Sequence, residues 1–286
     1  MWSGLNRSHA PANSRHRPNQ KTFCYSGVLE LPASKGPITA LRGNGEYDWA
    51  AFEPESYFEH YYADPHPDDD DLTRLAAATL MHAAPDGDGL NIIDIGTGPS
   101  LIPFMCAAPR AASLTCWEFS QANVSWLREE LSRSETRPQW LHFWSSVRAV
   151  YQGKKQLPAD PGPLLQAKCE FAQRSIFDLP ERRWDAATMF FCAESITEKR
   201  PEFEAACASF AKCVKPGGTL AAAFLVRSSG YTVGQRRYPA IDLCASAIED
   251  VFCGLTASAE VQQIGAAEHE VRSGYTGALF LRAQSR

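Results

Sequence analysis

The spacing of apolar and polar residues changes several times along the chain. Residues 1–45 carry no sustained apolar rhythm. From Met1 to about Tyr25 the segment has Arg7, Arg15, Arg17 and Lys21, many Asn, Ser and Pro, and no acid, so it is expected to be a flexible tail. Its Arg-rich, acid-free start mimics a transit peptide, but it lacks the apolar centre of a secretory signal. Ser56 to Tyr62 then places Tyr57 and Tyr61 on one helical face, with Tyr62 beside them. Asp68 to Asp71 precede an apolar-periodic helix over Leu72–Ala83. Acids there suit the unpaired N–H groups and positive dipole end of a helix better than a metal site.

From residue 90 short apolar runs alternate with amphipathic ones. Strands are expected at Leu90–Ile95, Ser113–Glu118, Cys169–Gln173, Asp185–Phe191 and Thr219–Leu225. Helices are expected at Pro99–Ala108, Ser120–Leu131, Glu202–Val214 and Ile241–Phe252. This alternation predicts an α/β fold with a mostly parallel, Rossmann-like sheet. Two closing strands, Ala257–Gln263 and Ala278–Arg282, lack a helix between them and read as an antiparallel hairpin at one end of the sheet. One domain over 46–286 is expected, with a helical segment at 46–85 and an insert at 138–168.

Composition narrows the class. With 44% hydrophobic residues and 28 Lys plus Arg against 33 Asp plus Glu, the chain can bury a core. It offers no broad basic face for nucleic acid. No apolar run approaches the roughly 18 residues of a membrane span. The nine cysteines, at 24, 106, 116, 169, 192, 207, 213, 244 and 253, form no Cys-x-x-Cys pair and lie mostly in apolar stretches. They read as buried, reduced thiols of a cytoplasmic protein. Arg outnumbers Lys 20 to 8, which hints at a GC-rich genome and specialised metabolism.

The most specific local signal is Asp94-Ile-Gly96-Thr97-Gly98-Pro99-Ser100. A strand ending in an acid, then Gly-x-Gly, makes a tight turn that a ligand can approach closely. Glu118 closes the next strand about 20 residues on, where a carboxylate suits two ribose hydroxyls. A dinucleotide fingerprint needs glycine at 101, but the residue is Leu101, which disfavours NAD. The acid two residues before Gly96 instead fits S-adenosylmethionine (SAM), with S-adenosylhomocysteine (SAH) as the product.

Around these residues the chain resembles the nicotinamide, phenylethanolamine and thioether (indolethylamine) methyltransferases. The resemblance rests on Phe52-Glu-Pro-Glu-Ser-Tyr57-Phe-Glu-His-Tyr61-Tyr62, on the glycine loop, and on Glu118-Phe119-Ser-Gln-Ala-Asn123. It extends to Phe191-Cys-Ala-Glu194, Lys215-Pro-Gly-Gly218 and Ser228-Ser-Gly-Tyr231-Thr-Val-Gly234. It implies a seven-stranded SAM methyltransferase fold under an N-terminal helical lid. Tyr57 and Tyr62 would close over the SAM carboxylate, while Asp94, Gly96, Thr97, Gly98 and Ser100 form the loop at its methionine part. Glu118 and Asn123 would serve the ribose. Phe119 and Ile176 would sandwich adenine, with Ser175 or Asp178 replacing the family's adenine-reading aspartate. Glu194, Tyr61 and Tyr231 are the expected catalytic residues, and Phe191, Phe224, Tyr231 and Ala240 the expected acceptor contacts.

Phe224, Ser228 and Ala240 stand where relatives carry acidic or polar groups for a carboxamide or a cationic amine. The expected acceptor is therefore an aromatic small molecule, of indole or arylalkylamine type, methylated at nitrogen or carbon. Glu194 would accept its N–H or O–H. No metal, nucleic acid or membrane is expected, and the oligomeric state is monomer or weak dimer. A nucleotide-dependent oxidoreductase and a non-catalytic SAM-binding protein are the alternatives.

Overall fold

A computed structural model describes residues 41–84, 87–265 and 277–286. Cys24 and the basic tail lie outside them. The N-terminal helices are α1 (Pro54–Tyr61) and α2 (Pro67–Met81). β1 (Leu90–Ile95), α3 (Ile102–Ala107), β2 (Ala111–Glu118) and α4 (Gln121–Ser132) follow. Then come α5 (Pro138–Tyr151), α6 (Gly162–Lys168), β3 (Cys169–Gln173), β4 (Trp184–Phe190), α7 (Arg200–Cys213) and β5 (Val214–Leu225). A two-stranded ribbon, β6 (Tyr231–Val233) and β7 (Arg236–Tyr238), precedes α8 (Ala245–Leu255), β8 (Thr256–Ile264) and β9 (Ala278–Ser285).

Seven strands form one sheet in the order β3-β2-β1-β4-β5-β9-β8. The first five are parallel. β9 runs antiparallel between β5 and β8, so the closing hairpin sits at one edge. The sheet is buried on both faces, as parallel sheets generally are. One face packs Ile92, Ala221 and Ala223 against Leu72, Phe104 and Trp140. The other packs Ile93, Ile95, Leu220, Ala222 and Phe224 against Phe203, Phe210 and Phe252.

Three local expectations need correction. The insert at 138–168 is mostly helical, because Trp140, Phe143, Trp144, Val147 and Tyr151 recur at helical spacing and are all buried. The third helix starts at Ile102 rather than Pro99, with Pro103 in its first turn, so residues 96–101 stay free as a loop. Residues 41–45 are anchored rather than loose: the Arg42 N–H donates to Glu198 (2.9 Å) and the Asn44 N–H to Glu202 (2.7 Å). The aspartates Asp68, Asp69 and Asp70 fall inside the first turn of α2, where the helix dipole favours their charge, and His66 Nδ1 caps the turn by accepting the Asp68 N–H at 3.2 Å. Of the eight described cysteines, Cys244 and Cys253 are exposed and Cys169 is half-buried; the other five are buried.

Candidate active site

The order of connection reverses between β1 and β4, the place where open α/β sheets hold ligands at the carboxyl ends of their strands. A cavity open to solvent lies there. The ends of β1, β2, β3 and β4 form its floor, and the segment before α2 forms its roof. Gly96, Thr97, Gly98, Ser100, Glu118, Phe119, Asn123, Ser175 and Ile176 line it. So do Tyr57, Tyr62, Phe191 and Tyr231.

The glycine loop is shaped by backbone geometry. Gly96 and Gly98 have φ of +63° and +58°, a region that costs a side chain about 1–2 kcal/mol. A Cβ at Gly96 would overlap Cys192 Sγ. At Gly98 a Cβ would meet nothing nearer than 4.0 Å, so the loop presents bare backbone to open space. Glu118 pins this loop. Its Oε2 accepts the Gly98 N–H (2.9 Å) and its Oε1 the Ser120 N–H (2.7 Å). Burial raises its carboxyl above the ordinary range, against the pull of those two amides. Beside it, the buried Asn123 Oδ1 has no hydrogen-bond partner among the described residues, a deficit that a polar ligand would remove.

Asp94 lies under the loop and does not line the cavity. Its Oδ1 accepts from the Thr188 hydroxyl at 2.5 Å. Burial, helped by the nearby Glu118 charge, pushes its carboxyl up to about 7. Ser175 caps the short turn Ile176–Asp178, its Oγ accepting the Phe177 N–H at 3.2 Å. Asp178 is exposed and lines a separate shallow groove.

Long-range ties hold the roof. Arg137 binds Glu55 through both terminal guanidinium nitrogens (2.6 and 2.9 Å) and lies 4.3 Å over the Phe58 ring. Trp126 Nε1 also donates to Glu55, at 2.6 Å. The Ser120 hydroxyl donates to the Trp49 carbonyl at 3.1 Å. Behind Tyr57, the ribbon β6–β7 stacks Tyr231 on Tyr238 (5.5 Å), and Tyr238 packs against Trp49 (5.1 Å) and Phe52 (5.0 Å).

Four expected acceptor or catalytic residues do not reach the cavity. Phe224 is 0% exposed and packs against Phe203 (6.2 Å) and Phe252 (6.1 Å), because its place in β5 turns it to the α7–α8 face. Ala240 is buried outside the lining. Tyr61 packs 4.4 Å from Tyr57 and is not among the lining residues. Glu194 is 0% exposed, and its Oε1 accepts the Leu225 N–H at 3.1 Å. Lining residues that sequence reading passed over include Asn44, Trp49, Phe52, Arg174, Cys192 and Ser195.

Residues 43–285 match the profile of the NNMT/PNMT/TEMT family. The chain belongs to this family. It is 25% identical over 226 residues to phenylethanolamine N-methyltransferase of Rattus norvegicus, across 70% of this chain and 75% of that enzyme. It is 23% identical over 208 residues to nicotinamide N-methyltransferase of Homo sapiens, across 69% and 79%. Among solved structures, the SAM-bound magnesium protoporphyrin IX methyltransferase of Synechocystis PCC 6803 shares the fold, with a TM-score of 0.55 at 12% identity over 87% of this chain and 99% of that one. This family member is a SAM-dependent small-molecule methyltransferase. Among the described residues, no helix is long and apolar enough to cross a membrane and no His/Cys/Asp/Glu group could hold a metal ion.

Proposed function

We propose that the acceptor is a neutral, electron-rich aromatic small molecule of indole or arylalkylamine type, methylated at nitrogen or at a ring carbon. The supporting observation is the cavity wall. Trp49, Phe52, Tyr57, Phe190, Phe191 and Tyr231 line it, and among the described residues the charged side chains reaching it are Glu118 and Arg174, at the tips of β2 and β3. Among the described residues a cationic amine would meet no further carboxylate, and desolvating an unpaired cation costs several kcal/mol.

The residues present fit SAM, which when bound supplies an electrophilic methyl group on a sulfonium sulfur. Glu118 would hold the ribose, its carboxylate standing at the cavity with its loop amides behind it. Asn123 Oδ1, unpaired among the described residues, offers an acceptor next to it. Phe119 and Ile176 would flank adenine, with Ser175 at its edge. The 96–100 loop would approach the methionine part, and Asp94 would hold that loop from below. Tyr57 and Tyr62 would close over the carboxylate. Methyl transfer needs alignment more than strong acid or base, so enclosure and water exclusion by this roof would supply much of the rate. Aromatic faces would also attract the cation.

The test is turnover of indoles, phenethylamines and pyridines with methyl-deuterated SAM, read by mass spectrometry. Methylated indole or arylalkylamine is the expected product. Efficient methylation of nicotinamide, with none of the neutral rings modified, would overturn the proposal.

A further inference from the structure

We propose that Arg137 is a positioning residue for the cofactor, gripping Glu55 and Phe58 so that α1 is held with Tyr57 at the cavity. This rests on the reading above that Tyr57 and Tyr62 close over the SAM carboxylate. α1 needs such a grip. It has eight residues, of which only Phe58 is buried, and an isolated helix shorter than about 12 residues is marginal in water. Packing holds the chain on either side of it: the Phe52 ring lies 5.0 Å from Tyr238 and the Tyr62 ring 5.5 Å from Trp140. The first turn, which leads into Tyr57, is held through Glu55. Both terminal nitrogens of Arg137 donate to it, at 2.6 and 2.9 Å, and Trp126 Nε1 donates to the same carboxylate at 2.6 Å. The guanidinium also covers the Phe58 ring, 4.3 Å from its centre.

The grip is fixed at one end and open at the other. Arg137 Nε donates to Glu130 at 3.0 Å, and that carboxylate, 2% exposed, also accepts from Arg133 Nε (2.7 Å) and Trp140 Nε1 (2.8 Å). The guanidinium is thereby set against α4 and α5 independently of α1. Glu55, in contrast, is 47% exposed, so the rest of the network keeps its own ties when Glu55 lets go. Arg137, with the Trp126 N–H, holds the Glu55 carboxyl below the ordinary range, so the pair is ionised at neutral pH. None of Glu55, Phe58, Trp126, Glu130 and Arg137 lines the cavity. What they do for the cofactor they therefore do through α1, which places Tyr57 in the wall and leads into Tyr62. A planar fork of N–H groups that meets both oxygens of one carboxylate fixes orientation as well as distance. Orientation is what a helix carrying a wall residue requires.

The experiment separates the grip from the cofactor. Losing a bidentate, half-exposed ion pair should weaken closure of α1 about tenfold. Because so short a helix starts from only a modest excess of the closed form, this should appear as about a threefold change in protection and in affinity. In the cofactor-free, full-length protein, the Tyr57 and Tyr62 amides bond to the Glu53 and Phe58 carbonyls. Their hydrogen exchange should speed up by that factor in Glu55→Ala, with the β1 and β4 amides as in the wild type. Calorimetry should show SAH binding weaker by the same factor, and SAM KM should rise with kcat unchanged, the mark of lost positioning rather than lost chemistry. Glu59→Ala, at an exposed acid of the same helix, should change none of these. Arg137→Lys keeps the charge without the fork, so it should match Glu55→Ala, and the double variant should lose no more than either. Wild-type exchange in Glu55→Ala, additive losses in the double variant, or a kcat loss larger than the change in SAM KM would each overturn the assignment. If Arg137→Lys fails to fold, the exchange and SAH affinity of Glu55→Ala decide alone. Should α1 exchange faster with SAH affinity unchanged, Tyr57→Ala tells the two failures apart. Weaker SAH binding in Tyr57→Ala would then overturn the role of Arg137, whereas unchanged binding would remove the roof reading on which it rests.

Discussion

Replacing Glu118 with alanine probes the cofactor end directly. The carboxylate is fully buried at the cavity and holds the Gly98 and Ser120 amides at 2.9 and 2.7 Å. Hydrogen bonds to a charged acceptor contribute about 1.5–3 kcal/mol each. Part of the loss in Glu118→Ala would be loop order rather than ligand contact, so SAH affinity should fall by about 1–3 kcal/mol, roughly 5- to 150-fold. Calorimetry with SAH and with its 2′,3′-dideoxy analogue separates the two contributions. The wild type should discriminate against the analogue by at least tenfold, and Glu118→Ala should bind both alike. Glu118→Gln is a poorer probe than it looks, because one amide hydrogen pair would face a loop N–H. Unchanged SAH affinity in a folded Glu118→Ala, or full discrimination retained by it, would refute the ribose assignment.

Gly98→Ala should lower melting stability by only about 1 kcal/mol, from positive φ, yet weaken SAH at least tenfold by filling the open space before the loop; Gly96→Ala should destabilise more, through overlap with Cys192 Sγ. Phe224→Ala should cost about 3–5 kcal/mol in denaturant unfolding with little change in acceptor KM, whereas Phe191→Ala should raise acceptor KM. Asp94 ionises near 7 in the fold, so the folded state holds its proton where the unfolded chain has lost it. Its contribution therefore becomes unfavourable as pH rises from about 4 to 7, by up to about 4 kcal/mol. Stability of the wild type relative to Asp94→Asn should fall over that range in thermal melts, and parallel profiles would refute the assignment.

The elements legible in the sequence are those whose signal is local. β1 with its Asp and Gly-x-Gly, and the closing pair without a helix between them, are dictated by short-range patterns, and the structure follows them. The helical rhythm of α5 was also there to be read, since Trp140 to Tyr151 repeats at three and four. So was the ribbon turn, where Gly234 supplies a φ of +57° between Val233 and Arg236. Asn44 and Trp49 carry no such local signal. They reach the cavity through bonds to residues far along the chain, the Asn44 N–H to Glu202 and the Trp49 carbonyl to Ser120.

At the acceptor end, Phe224 falls outside the cavity for a reason that lies in its own strand. A strand buried on both faces is apolar throughout, so its sequence does not reveal which residues point which way. In β5, Leu220, Ala222 and Phe224 turn to the α7–α8 face and Ala221 and Ala223 to the opposite one, yet all five look equally fit for a core. The same blindness extends past β4 into the turn that follows it. Glu194 draws attention because it is an acid, and its neighbour Ser195 does not, but Ser195 is among the residues lining the cavity and Glu194 is not. Chemical type is readable residue by residue, whereas orientation is set by packing on both sides of the sheet. Residue type alone therefore does not say which of two neighbours in such a turn borders the cavity.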